Sequence, residues 1–368
     1  MADKKFQKPI QTLTKVLGNV PLTVWLGLII LVFFSILTDR FLTVSNVMNI
    51  IVQVSSGVGI IAVASFIAIC STGVDLSIGG TVAVSGMIAA RVLVLDFPLI
   101  NSIREVSPIL VILIAIGAAM LAGMLVGALN GLILSKTKIP AFIITLATYR
   151  IGETMARIVG GGSSIQIIDQ EAFRFIGGGS LYSVMVGNRS IGILPVSLLV
   201  LIPLYIVFHV LMKHTKFGTY IYAIGGNNEA SVLSGINVEK TRFTVFLLSG
   251  LIASIAGILL TSRLASGIAA TGLGLEFDGI AATVVGGTAM TGGKGSPFRT
   301  LIGAFTIGAL RNGLNLIGMA NSVQMITIGA VLIIIVTIDA FRTEEGRLWR
   351  KNLRRNFFPS QMKNRIAQ

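Results

Sequence analysis

Two stretches of the chain place polar residues between apolar runs that lie close together. Asp75 and Ser77 occur in STGVDLSIGG, and Glu276 and Asp278 occur in LEFDGIAATVVGGTAMTGGKG. At such a break, a carboxylate can cap the helix that follows, or it can hydrogen-bond the hydroxyl groups of a polar solute. Both roles stay open for Asp75. All four residues are candidates for the lining of a solute path.

A third group of charges has helical spacing. Arg150, Glu153 and Arg157 fall at i, i+3 and i+7, which puts them on one face of a helix. They can form a local ion pair at the outer surface, or they can contact a polar cargo or an outer docking partner. The polar, glycine-rich segment 160–189 that follows is either a docking surface or a solvated loop.

The residue types disfavour an enzyme. The two histidines, His209 and His214, have no neighbouring cysteine or carboxylate that would complete a metal site or a nucleophile–base pair. A phosphate-binding loop needs glycine six residues before the lysine of GGKG and Ser or Thr after it. Thr288 and Gly295 stand there instead. We therefore expect no catalytic residues, no metal and no cofactor on this chain.

The composition indicates which elements position these residues. Of the 368 residues, 54% are hydrophobic and 12% are charged, and the mean hydropathy is +0.88. Apolar runs long enough for a bilayer recur, so we predict an all-α polytopic membrane protein with about ten transmembrane helices, some of them broken. The predicted spans are 20–38, 47–72, 76–94, 108–135, 140–159, 191–212, 243–264, 280–290, 297–318 and 323–341.

The charges predict the orientation. The net charge of +14 suggests a nucleic-acid partner, but 20 of the 29 basic residues fall in the segments that are inside if the N-terminus is inside. This is the positive-inside bias, so we predict cytoplasmic termini and no nucleic-acid binding. The predicted organisation is a cytoplasmic segment 1–19, a transmembrane domain 20–341 with an inner loop 213–242, and a basic cytoplasmic tail 342–368.

The chain carries a candidate internal repeat. LAGMLVGALNGLIL at 121–134 is similar to LIGAFTIGALRNGLNL at 301–316, five predicted spans later. An odd number of spans makes the two copies cross the membrane in opposite directions, and inverted halves place a transport path at their interface. The alternative is a chance likeness between glycine-rich helices.

The inner loop contains a short capped helix, YAIGGNNEASVLSGI at 222–236. Asn227 or Asn228 suits the N-cap, Glu229 suits the first turn, and Gly235 suits the position after the C-terminus. Two turns are not stable alone in water, so the helix must dock on the membrane domain or on a cytoplasmic partner. Its small apolar face consists of Val232, Leu233 and Ile236.

Several stretches resemble the permease subunits of bacterial simple-sugar ABC importers of the ribose, xylose, galactose and arabinose type. They are GVDLSIGG, YAIGGN with LSGIN, LEFDGIAATVVGGT with GGKG, and NGLNLIG, and the resemblance covers roughly residues 41–340. It implies a homodimeric permease in the bacterial cytoplasmic (inner) membrane. It also implies a cytoplasmic ATPase with two fused nucleotide-binding domains, which holds the ATP, and a periplasmic or extracellular protein that delivers the monosaccharide.

The resemblance also implies roles for particular residues. The segment 225–235 would be a coupling helix that enters the ATPase, and the breaks at 73–80 and 276–295 would flank the path. Arg150 and Glu153 match no position of the family, and the tail 342–368, more basic than the family's, is expected to bind anionic lipid headgroups. The coupling residues are Gly225, Gly226, Asn227, Asn228, Glu229, Leu233, Ser234 and Gly235.

Other transport functions remain open at this point. Related permeases carry nucleosides or branched-chain amino acids, and the repeat alone also fits an ion-coupled secondary transporter that needs no partner. The capped inner helix and the scarcity of paired membrane carboxylates count against ion coupling. We therefore expect a permease that is driven by a separate ATPase.

Overall fold

The computed structural model describes residues 22–71, 73–186 and 189–342. Within these ranges the chain forms fifteen α-helices, and the predicted segment 1–19 and nearly all of the tail 342–368 lie outside them. The helices are α1 Leu22–Leu37, α2 Val44–Ser56, α3 Val58–Ser71, α4 Ser77–Val94, α5 Pro98–Val106, α6 Pro108–Lys136, α7 Ala141–Val159, α8 Glu171–Gly178, α9 Val196–His214, α10 Lys216–Gly226, α11 Asn228–Leu233, α12 Val238–Leu264, α13 Leu275–Val285, α14 Pro297–Leu316 and α15 Asn321–Arg342.

Within the described residues, the chain has the structure of a helical membrane protein. Four of its helices, α4, α6, α9 and α12, are each long and apolar enough to cross a bilayer. Helices α2 and α3 make a fifth candidate as a pair that is bent by 40° at Gly57. The other helices are shorter or carry more polar residues, so the predicted number of ten spans stays a prediction.

The long helix α12 lies at the centre of the bundle and packs against α3, α4 and α6. Glycines allow α6 and α12 to come together without side chains between them. A methyl group on Gly127 would collide with the Phe246 carbonyl oxygen, and one on Gly250 would collide with the Gly123 carbonyl oxygen. Such close backbone contact is typical of helix pairs in membranes.

Three predicted spans have clearly different bounds in the structure. The seventh begins five residues earlier than predicted, at Val238, because Asn237 caps the helix with a side-chain oxygen that accepts from the Lys240 N–H. The sixth begins five residues later than predicted, at Val196, because Ile191 belongs to the strand Arg189–Gly192 and Pro195 starts the helix. The eighth is shifted towards the N-terminus and ends at Val285, since Gly286 and Gly287 follow it and Gly287 has φ +84°.

Short strands occur beside the helices. Ile165–Gln166 pairs with Ser266–Gly267, and Ser183–Val186 pairs with Arg189–Gly192, both antiparallel. The first pair ties the segment after α7 to the end of α12. The side chain of Phe173 on α8 is fully buried. Part of the segment 160–189 is therefore packed against the bundle.

Candidate functional site

The first break forms a buried polar cluster. Asp75 is 2% exposed, and its Oδ1 accepts hydrogen bonds from the Ser77 backbone N–H at 2.9 Å and from the Ser77 hydroxyl at 2.6 Å. Its Oδ2 accepts from the Ser249 hydroxyl on α12 at 2.6 Å. Asp75 thus accepts from the N–H of the first residue of α4 and links this helix to α12, while Leu76 is the N-cap of α4. A role of Asp75 and Ser77 in a solute path stays a prediction.

Sequence reasoning missed two members of this cluster. Ser249 contacts Asp75, and the Asn130 side-chain amide on α6 donates to the Ser77 hydroxyl at 2.9 Å. Both residues are fully buried in long apolar helices. A polar side chain inside a membrane helix is itself a signal of a specific role, and that signal was present in the sequence.

The second break starts α13 with two buried carboxylates. Glu276 is 4% exposed and Asp278 is 1% exposed. Glu276 Oε2 has no hydrogen-bond partner among the described residues. Asp278 Oδ2 lies 2.6 Å from Arg311 Nη1 on α14, which balances its charge. Arg311 was not predicted as a site residue, although an arginine in the interior of an apolar helix is a signal of the same kind.

The structure brings the two breaks together. Gly79, near the start of α4, lies against the Gly272 carbonyl oxygen and the Glu276 carboxylate, so that a methyl group on Gly79 would collide with both. The 3₁₀ turn Ala269–Gly272 therefore packs directly on the first turns of α4. Glu276 of the second break thus lies against the first turn of α4, directly after the first break.

The charged face of α7 forms local ion pairs. Arg150 lies 3.1 Å from Glu153 and Arg157 lies 2.8 Å from it, and the two arginine side chains are 70% and 61% exposed. Exposed pairs of this kind contribute about 0.3–0.5 kcal/mol each to stability. Contact of this face with a cargo or an outer partner stays a prediction.

Local capping forms the short helix α11. Asn227 is its N-cap, and the side-chain oxygen of Asn227 accepts from the Ala230 N–H at 2.9 Å. Gly235 has φ +78°, and its N–H donates to the Val232 carbonyl at 3.0 Å. Gly235 thus takes the left-handed conformation that glycine adopts without strain.

The apolar side chains of α11 point away from the described chain. Leu233 is 89% exposed and Val232 is 56% exposed, while Ser231 is buried. Asn228, Glu229 and Ser234 are exposed as well. The helix therefore rests on the protein through one side and leaves an apolar surface uncovered.

Helix α10, which sequence reasoning missed, connects α11 to both breaks. Its Gly225 lies against the Cys70 carbonyl oxygen at the end of α3 and against the Gly293 N–H. The Gly293 N–H donates to that same carbonyl oxygen at 3.0 Å. The Tyr222 hydroxyl donates to the Gly295 carbonyl oxygen at 3.0 Å. The loop 286–296 is thus held between α10 and α3.

A family of transport proteins matches most of the chain. The sequence model of this family, described as the permease component of a branched-chain amino acid transport system, matches residues 46–336. The chain belongs to this permease family. The permease is a non-catalytic, multi-pass protein of the inner membrane, and the sugar permeases described next confirm the predicted resemblance.

Similar proteins match the permease along nearly its whole length. The ribose import permease of Haemophilus influenzae is 37% identical over 321 residues, which cover 86% of this chain and 92% of that protein. The D-allose transport system permease of Escherichia coli is 32% identical over 318 residues, covering 85% and 89%. The L-arabinose ABC transporter permease of Azospirillum brasilense is 30% identical over 322 residues, covering 87% of each. No solved structure matches the chain.

Proposed function

We propose that the chain is the permease subunit of an ATP-driven importer and that its substrate is a monosaccharide. The observation that carries the proposal is the similarity, over at least 85% of the chain, to proteins named for ribose, allose and arabinose transport. The proposed complex contains two copies of the chain and a cytoplasmic ATPase with two fused nucleotide-binding domains. A periplasmic or extracellular binding protein delivers the sugar.

The exposed surface of α11 supports the coupling role. A two-turn helix with Leu233 almost fully exposed needs a covering partner, and burying one leucine contributes about 1.5–3 kcal/mol to association. The proposed partner is the ATPase, which would contact the predicted coupling residues around Glu229 and Leu233. Movement of the ATPase would then reach the membrane helices through α10.

Backbone contacts support the proposed topology of ten spans with both termini in the cytoplasm. That topology puts the end of the second span, the loop 213–242 and the loop 286–296 on the inner side. The contacts among Cys70, Gly225 and Gly293 fit this arrangement. In the same scheme, α6 and α14 carry the inverted repeat, and the face of Arg150, Glu153 and Arg157 lies at the outer surface.

The proposed path runs beside the two breaks. The packing of Gly79 against Gly272 supports a path flanked by Asp75 and Ser77 from one half and by Glu276 and Asp278 from the other. Interfaces between discontinuous helices are common places for solute sites in transporters. The basic tail 342–368 is proposed to bind anionic lipids.

Reconstitution of the permease in liposomes tests the proposed function. With the ATPase and the binding protein present, we expect uptake of a pentose or hexose that requires ATP. Accumulation of sugar by the permease alone, under an imposed ion gradient, would contradict the proposal and favour the secondary transporter.

Substitutions on α11 and directly after it test the coupling role. We expect Glu229→Lys or Gly235→Pro to abolish ATPase binding and uptake while the chain remains in the membrane. Glu171→Lys, the same change in the first turn of α8 on the predicted outer side, is the matched control and keeps ATPase binding. Normal uptake by both α11 variants in whole cells would refute the assignment.

A further inference from the structure

A polar cavity of about 340 Å³ lies where the bend between α2 and α3 meets α12, α14 and the start of α15. Its volume falls within the roughly 300–1,000 Å³ that is usual for small-molecule sites. None of the predicted path residues lines it. Its polar side chains are Gln53, Arg263, Arg311, Asn315, Asn321 and Gln324.

Contacts within the chain hold several of these side chains in place. Gln324 Nε2 donates to Asn315 Oδ1 at 2.7 Å, and Arg263 Nη1 donates to the Ser56 hydroxyl at 2.9 Å. Arg311 is held by its ion pair with Asp278. Side chains fixed in this way bind a ligand without a large loss of conformational entropy.

Other polar groups of the cavity lack partners. Arg311 Nε is buried and has no hydrogen-bond partner among the described residues. The Gln53 side chain is half-buried and makes no hydrogen bond with the described residues. Its amide is therefore free to bond a polar molecule in the cavity, whereas Arg311 Nε is covered by the protein.

The types of residue that line the cavity favour one class of solute over others. The amides of Gln53, Asn315 and Asn321 both donate and accept hydrogen bonds, as sugar hydroxyls do. The described lining contains no aromatic ring on which a nucleobase would stack and no carboxylate that would pair with the ammonium group of an amino acid. Val54 and Leu260 offer apolar contacts for the C–H groups of a sugar ring.

From these observations we infer that the cavity is a transit site for a neutral monosaccharide. This inference rests on the proposed function. In the predicted topology, the end of α12 and the start of α15 face the outer side, so the cavity receives the sugar after its release from the binding protein. The amides and guanidinium groups then hold the sugar hydroxyls while the inner side of the permease is closed.

The test compares the permease with variants in the reconstituted complex with the ATPase and the binding protein. Gln53→Leu and Asn321→Leu each remove one amide at similar volume. We expect a roughly three- to tenfold fall in sugar moved per ATP hydrolysed, the usual effect of one lost hydrogen bond. Binding-protein-stimulated ATP hydrolysis stays at the wild-type rate. Asn49→Leu, the same change as Asn321→Leu at an exposed residue of α2 outside the cavity, leaves the ratio unchanged.

The outcomes separate the two proposals. If the wild-type complex shows no ATP-dependent sugar uptake, the proposed function fails. If the wild-type complex transports sugar and both cavity variants keep its ratio, or if Asn49→Leu lowers the ratio equally, only the transit site is overturned. An effect of the variants on uptake of a sugar acid but not of the neutral sugar would refute the inferred ligand class.

Discussion

Gly225 is one of the two described positions, with Gly272, where an added methyl group would collide most closely with another backbone. A methyl group there would collide with the Cys70 carbonyl oxygen and would lie 2.5 Å from the Gly293 nitrogen. Both obstacles are backbone atoms, and a 3.0 Å hydrogen bond joins them. In Gly225→Ala, α10 must therefore move away from the end of α3 and from the loop 286–296.

The expected cost follows from three effects. Overpacking of a tight contact costs about 1–3 kcal/mol, and loss of the Gly293–Cys70 hydrogen bond adds about 0.5–1.5 kcal/mol. Alanine stabilises a helix by up to about 1 kcal/mol relative to glycine. The net destabilisation of Gly225→Ala is then about 0.5–4.5 kcal/mol.

The assay for stability is thermal unfolding of the purified permease without its partners. We expect a lower Tm for Gly225→Ala than for the wild type. Gly226→Ala is the matched control, because a methyl group on Gly226 would meet no atom within 4 Å. Its Tm should stay the same or rise slightly, since the added methyl favours the helix.

Uptake provides the second measurement. If the displaced α10 disfavours the transport-competent arrangement by about 1.4 kcal/mol, uptake falls roughly tenfold. Gly117→Ala on α6, where a methyl group also meets no atom within 4 Å, should keep wild-type uptake. Wild-type Tm and uptake for Gly225→Ala would refute the close contact and the coupling route through it.

Three further predictions concern single contacts. Leu233→Asp should weaken ATPase binding about ten- to a hundredfold in a pull-down titration. It should not lower the Tm of the isolated chain, because Leu233 is 89% exposed. Unchanged affinity would contradict the docking role. Ser249→Ala leaves one oxygen of Asp75 without its 2.6 Å partner, so the free energy of unfolding should fall by about 1–3 kcal/mol. An unchanged Tm would show that water replaces the hydroxyl. Arg311→Met should lower the free energy of unfolding by about 3–5 kcal/mol, because it leaves Asp278 unpaired. Adding Asp278→Leu should recover part of the lost Tm, and a further, additive loss would contradict the pairing.

Sequence reasoning succeeded where the determinants are local. The bounds of α11 follow from Asn227 as N-cap, one of the two predicted candidates, and from Gly235 as the left-handed residue after its end, as predicted. The ion pairs of Glu153 follow from helical spacing in the same way. Such contacts join residues within one or two turns, so a single sequence contains all the information they need.

The contacts that were missed join residues far apart in the chain. Ser249 and Asp75 are separated by 174 positions, and Asn130 and Ser77 by 53. Hydropathy indicates that such polar residues lie inside the bundle, but it does not indicate which ones meet. Helix α10 was missed for another reason, because its glycines, tyrosines and polar residues give no long apolar run of the kind by which spans were found.

The missed contacts explain how movement at α11 could reach the proposed path. Helix α11 follows α10 with only Asn227 between them, and Gly225 of α10 touches both the end of α3 and the loop 286–296. Cys70 lies five residues before Asp75, which is bonded to Ser249 on the central helix α12. These contacts are made by backbone atoms and buried hydrogen bonds, and a closely packed interior deforms little. A displacement of α10 is therefore passed on to the elements that it contacts. We therefore expect a push on α11 to shift both breaks together.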